Sequence, residues 1–107
     1  MGMESYKAPE DCESLDEIRA GMDALDRSIV RILVQRVGYV RAAAKFKTSA
    51  DAVAAPDRVQ KVLDTRRDWA IAAGLDGDVV RALYRDIVAY CIGEEKNEWE
   101  RLQQGRN

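Results

Sequence analysis

The sequence predicts an all-α protein. Three observations carry that expectation. Apolar residues recur with a 3.6-residue period in three segments, the period-2 alternation of strands is absent, and two breaks separate the segments. The 107 residues read as one domain, 1–107, of three helices.

The first helix is expected to start at Ser14. "SLDE" is a capping box, with Ser14 as N-cap and Glu17 three residues on. Ile18, Met22, Leu25, Ile29, Ile32, Leu33 and Val40 then keep one stripe, and the stretch "VQRVGYVRAAAKFK" carries the helix to Lys47. A helix of about 30 residues is long for so small a domain. It cannot fold back on itself, so its ends need other helices or another chain. Residues 1–13 read as an N-terminal extension.

A small-residue loop, "TSADAVAA", should follow from Thr48 to Ala55, and it is expected to be mobile. Pro56 suits the first turn of a second helix, with Val59, Leu63, Trp69 and Ala70 on its inner face. Gly74 is a suitable C′ residue, so that helix should end at Ala73. "LDGD" is a turn. The third helix should run from Asp78 to near Gln103, with Val80, Tyr84, Ile87, Val88, Cys91, Trp99 and Leu102 as its stripe. The tail "QGRN" should fray.

Composition excludes several classes of function. Net charge is −2, with Lys and Arg spread along the chain, so there is no nucleic-acid footprint. No apolar run approaches the ~18–20 residues of a membrane span. "MGMESYKAPEDCE" lacks the apolar core of a signal peptide, so a cytoplasmic protein without a membrane partner is expected. Cys12 and Cys91 are isolated, and histidine is absent. That removes the commonest general base, the Ser-His and Cys-His pairs and the usual zinc sets. No metal site is expected, and chemistry must use Arg, Lys, Asp, Glu or Tyr.

Charges stand where helices should be apolar. Arg36 follows Ile32 by four residues and precedes Val40 by four, so it lies on the stripe. Either its stem packs while the guanidinium snorkels to water, or it faces a ligand. Lys47 favours the second reading. Eleven residues make about three turns, so in a continuous helix the two would share a face roughly 16 Å apart. Glu95 also faces inward, four residues from both Cys91 and Trp99. It is either an ion-pair partner for a lysine of another helix or a carboxyl kept protonated by desolvation. Glu94 lies about 100° round and should be solvated. Arg19 is too far along the helix to serve Arg36's site in its own chain, at roughly 25 Å. It can serve that site from a second, antiparallel chain. Arg58, one turn into the second helix, otherwise reads as a solvated residue.

This spacing of charges resembles the all-α, type II chorismate mutases: Arg19, Arg36 after 17 residues, Lys47 after 11, a loop, Arg58, and Glu95 late in the third helix. The resemblance runs from "PEDC" to "EEKNEW". Within the class, "YVRAAAKFK", "APDRV" and the Trp of "RRDWA" look closest to the bacterial isochorismate pyruvate lyases. The resemblance implies an intertwined helical homodimer with two sites for a small dianionic substrate, chorismate or isochorismate. It implies that Arg36 and Arg19 of the partner subunit clamp the two carboxylates and that Arg58 helps hold the carboxylate end. Lys47 and Glu95 would hydrogen-bond the ether oxygen of the enolpyruvyl group. Chorismate rearrangement is pericyclic and needs neither nucleophile nor cofactor.

Typical bacterial mutases carry acidic residues beside the second-helix Arg, where this chain has Ala55 and Val59, a loss shared with the lyase branch. The expectation is chorismate mutase activity, with isochorismate pyruvate lysis as the alternative. Outside enzymes, the alternative is a helical interaction module.

Overall fold

A computed structural model describes residues 6–105, and all of its regular elements are helical. In order they are η1 (Pro9–Asp11), α1 (Leu15–Ala43), η2 (Ala44–Phe46), α2 (Ala50–Ala54), α3 (Pro56–Ala72) and α4 (Gly77–Gln104), with η marking 3-10 turns. Residues 1–5 of the N-terminal extension, and Arg106 and Asn107 of the tail expected to fray, lie outside the described residues. The chain divides into two compact units, Met1–Arg36 and Val37–Asn107.

In the first unit residues 6–13 of the extension lie against the start of α1. Ser14 caps as expected: its Oγ accepts from Glu17 N at 3.1 Å. The return half of the capping box is displaced by one residue, because Glu17 Oε1 accepts from Glu13 N at 2.6 Å rather than from Ser14. Lys7 Nζ lies 2.5 Å from Glu17 Oε2. Lys7 and the Glu13 N–H hold the Glu17 carboxyl below its ordinary range. The apolar stripe is in place on α1 and largely bare: Met22, Leu25, Ile29 and Ile32 are each about half exposed or more, and Ala24 alone is buried.

The second unit holds the core. Val62 and Leu63 of α3 pack with Val88 of α4, flanked by Val59, Tyr84 and Ile92. Arg81 of α4 bridges to Asp64 and Gln60 of α3, at 3.3 Å each. The α3–α4 turn follows the sequence expectation. Gly74 has φ +90°, Gly74 N donates to Ile71 O and Leu75 N to Ala70 O, closing a Schellman motif. Gly77 then lets α4 start against α3, since a Cβ there would lie 2.7 Å from Ile71 Cγ1. Asp76 caps α4 through Asp78 N and Val79 N.

Three expectations need correction. Trp69 does not join the inner face of α3. It is 61% exposed, with the Arg66 guanidinium 4.3 Å from its ring centroid, so a cation–π contact replaces burial. The first helix does not reach Lys47. It ends at Ala43 and tightens into η2, where Lys47 N closes the 3-10 turn onto Ala44 O. Lys47 is itself extended (φ −92°, ψ 136°), so the single-helix estimate of its distance from Arg36 does not apply. Finally, 48–55 is not an unstructured loop. Ser49 Oγ accepts from Ala52 N, which starts α2, and Val53 is buried. Ala55 joins α2 to α3 in the left-handed region (φ 39°), and strain there costs of order 1–3 kcal/mol. Its N–H closes α2 on Asp51 O while its carbonyl accepts from Val59 N in α3.

Candidate active site

The predicted site residue whose surroundings are most fully built is Lys47. Leaving the helical path after η2 turns its chain toward α4, which packs against both η2 and α2. Lys47 Nζ lies 3.0 Å from Glu95 Oε2 and donates to Ala52 O at 3.2 Å. The contact with Glu95 is one of charge rather than an aligned hydrogen bond, because Oε2 is buried and accepts none among the described residues. Glu95 is 7% exposed, the one buried charged residue among the described residues. Its inward position, read from the Cys91–Glu95–Trp99 spacing, is therefore what the structure shows. The partner is a lysine from another element, which was one of the two readings left open.

An ammonium beside a buried carboxyl suits a site that must meet growing negative charge. Lys carries three N–H donors. One points to Ala52 O and the Glu95 charge sits against the group, which leaves donor capacity for a ligand oxygen. The carboxyl offers an oxygen without a hydrogen-bond donor, ready to meet a polar atom of a ligand. Burial of Glu95, with Lys47 partly covered, strengthens the electrostatics of the pair and makes an unmatched charge costly.

The other predicted residues are placed as follows. Arg58 stands exposed in the first turn of α3, just after the Ala55–Pro56 joint. Arg36 is half-buried on α1, and Arg19 is exposed about one turn into the same helix, in the first unit. Lys47 and Glu95 are thus the two brought into direct contact. Glu94 is not simply solvated: Arg41 Nη2 donates to its Oε1, and Glu94 holds the Arg41 guanidinium above its ordinary value, chiefly by that hydrogen bond.

Two features of the site escape sequence reading. The Ala52 carbonyl reaches Lys47 only because α2 forms, and no side-chain pattern reports a carbonyl. Trp99 shows in the sequence as a stripe residue, yet its Nε1–H donates to Lys47 O at 3.1 Å. The signal was present in the spacing, since Trp99 follows Glu95 by one helical turn.

The isochorismate pyruvate lyase of Pseudomonas aeruginosa is 41% identical over 97 residues, spanning 91% of this chain and 96% of that protein. The family description "chorismate mutase type II" matches residues 18–96, which include Arg19, Arg36, Lys47, Arg58 and Glu95. With an all-helical chain, an inward Lys–Glu pair and a match over most of its length, the protein belongs to the chorismate mutase type II family.

Proposed function

We propose that this enzyme is an isochorismate pyruvate lyase, cleaving isochorismate to salicylate and pyruvate. The observation that carries the reading is the near-full-length likeness to the Pseudomonas lyase. Ala55 and Val59 support it, because neither offers the acidic group that typical mutases place beside the second-helix Arg to bind the ring hydroxyl.

The chemistry asks for little beyond shape and charge. The C–O bond of the enolpyruvyl ether breaks while a ring hydrogen moves to the enolpyruvyl methylene. The ring becomes aromatic, and the ether oxygen leaves as the keto oxygen of pyruvate. Negative charge grows on that oxygen as the bond stretches. Lys47, already fixed beside Glu95 and Ala52 O, is the donor placed to meet it. Arg36 and Arg19 of the partner subunit clamp the two carboxylates in the compact conformer, and Arg58 holds the carboxylate end. The family supplies these roles; the half-buried Arg36 and the exposed Arg58 at the α2–α3 joint are compatible with them. No step calls for a cofactor.

A site that borrows Arg19 from a second chain requires a homodimer. The bare stripe of α1 supports that assembly. Segment 48–55 would then close over bound substrate beside Lys47.

Chorismate mutase activity is the second reading, favoured by the family match itself. Product identity separates the two. Purified protein receives chorismate and isochorismate separately at about pH 5 and about pH 8, and prephenate and salicylate are quantified. Salicylate formed with the higher kcat/KM supports the lyase. Prephenate formed with the higher kcat/KM makes the enzyme a mutase. Neither product under either condition removes both readings.

A further inference from the structure

Trp99 lies three residues beyond the stretch that the family description covers, so the family pattern assigns it nothing. The structure gives it a contact with the catalytic segment. We propose that Trp99 is a positioning residue: its indole N–H fixes the Lys47 peptide and so aims the Lys47 ammonium. The inference rests on the reading of Lys47 as the group that meets the ether oxygen.

The argument starts from the backbone. Lys47 is the first extended residue after α1 and η2, so its carbonyl has left the helical ladder and needs a donor from elsewhere. Trp99 Nε1 supplies it at 3.1 Å, across 52 residues of sequence. An indole N–H only donates, and a half-buried one needs an acceptor, so each group satisfies the other. Four residues earlier on the same face of α4, Glu95 meets the far end of the same lysine. One helix therefore holds both ends of Lys47, the peptide through Trp99 and the ammonium through Glu95. Ala52 O adds a third point of attachment.

This arrangement matters because lysine is flexible. Its stem has four rotatable bonds, and it has about 2 kcal/mol of rotamer entropy to lose. Fixing the ammonium alone would leave the peptide to swing at the start of segment 48–55. With the peptide fixed, the ammonium samples few positions. A misplacement of about 1 Å can cost on the order of 10²-fold in rate. The effect should fall on kcat, since Lys47 meets charge that grows in the transition state, while the arginines that bind the carboxylates are untouched.

The test removes the indole donor. The parent is Trp69→Phe, itself assayed first, so that Trp99 is the sole tryptophan. Trp99→Phe in that parent is expected to lower kcat about tenfold with KM within about twofold. In the parent, replacing Trp99 by its benzothienyl analogue keeps the ring shape and loses only the N–H. It should reproduce the fall in kcat even if Trp99→Phe destabilises the fold. An unchanged kcat in the analogue protein overturns the proposal, as does a loss confined to KM. A second readout needs no turnover: the Lys47 ammonium resonance, assigned through Lys47→Arg, should be sharp in the parent and broadened or shifted in the analogue protein. If it is unmoved, Trp99 does not aim Lys47. If the resonance responds but the parent turns over neither substrate, the functional reading has failed while the positioning contact stands.

Discussion

α1 and α4 are nearly equal in length, 29 and 28 residues, yet they are stabilised differently. α4 buries Gly77, Val88, Cys91 and Glu95, whereas α1 buries Ala24 alone. The contrast is not one of apolar content, since Met22, Leu25, Ile29 and Ile32 form a stripe on α1 that stays exposed. α4 has its packing partners within the chain: α3 for the core, η2 and α2 for the site. A long amphipathic helix gains most of its stability from packing its apolar face. The bare stripe of α1 is the face that a second copy would cover in the assembly proposed above.

The sharpest way to break that comparison is to place a charge on the bare stripe. Ile29→Asp would be nearly silent if α1 ended its folding as exposed as it stands, since surface substitutions usually stay within about 0.5 kcal/mol. In a dimer whose interface includes that stripe, it should give a monomer with no measurable turnover. Light scattering and the salicylate assay read both quantities, and an intact, active Ile29→Asp dimer would remove α1 from the interface. Mixing Arg19→Ala and Arg36→Ala chains sharpens the same point. Half of randomly paired dimers would be mixed, each with one intact site, so about a quarter of full activity should return. No recovery despite demonstrated subunit exchange would rule out a site shared between chains.

Leu63→Ala probes the other side of the comparison. Leu63 is 3% exposed and packs with Val62 and Val88 inside the second unit. Its truncation should cost about 2–5 kcal/mol, the usual range for a buried leucine. Because its core contacts belong to a single chain, the deficit should be present in the Ile29→Asp monomer as well as in the parent. Denaturant titrations of both backgrounds would show it. A cost seen only in the dimeric background would mean that the α3–α4 core is not stable by itself.

Glu95→Gln is a smaller perturbation, aimed at the single charge that α4 buries. Glu95→Gln removes the charge that faces the Lys47 ammonium at 3.0 Å and supplies an amide that can donate to the ether oxygen. It should change kcat more than KM in the salicylate assay, at some loss of the contact with Lys47. A kcat and KM both unchanged by the substitution would show that Glu95 serves structure alone.

How far the sequence could be read follows the same division. The capping box at Ser14, the Schellman stop at Gly74 and the Val59–Leu63–Ala70 face were legible because they rest on interactions a few residues apart. The inward placement of Glu95 was legible from a four-residue spacing on one helix. The fate of Lys47 was not, because the end of α1 is set by η2 and by contacts with α4, 52 residues away at Trp99. The segment 48–55 was misjudged for a related reason: small residues resemble a loop, but Ser49 caps a helical turn and Val53 finds a buried place. Trp69 shows that a stripe position at a helix end is not bound to be buried when a nearby guanidinium can cover its face.

The smallest expected effect concerns how α1 begins. Its first turn is held by local polar contacts rather than by burial: Ser14 on Glu17 N, Glu17 on Glu13 N, and Lys7 on Glu17. Lys7, then the Glu13 N–H, keep the Glu17 carboxyl below its ordinary value, so the folded state favours its ionised form. A depressed carboxyl contributes stability above its unfolded value and loses it as pH falls through the folded one. Glu17→Gln keeps an oxygen acceptor for Glu13 N and removes the charge. Its deficit in thermal stability should be slight at neutral pH and should disappear under acid conditions, where the parent carboxyl is also neutral. A deficit of equal size at every pH would assign the role of Glu17 to the shape of the capping turn instead of to its charge. The start of α1 would then be held by hydrogen-bond geometry alone, with Lys7 a bystander.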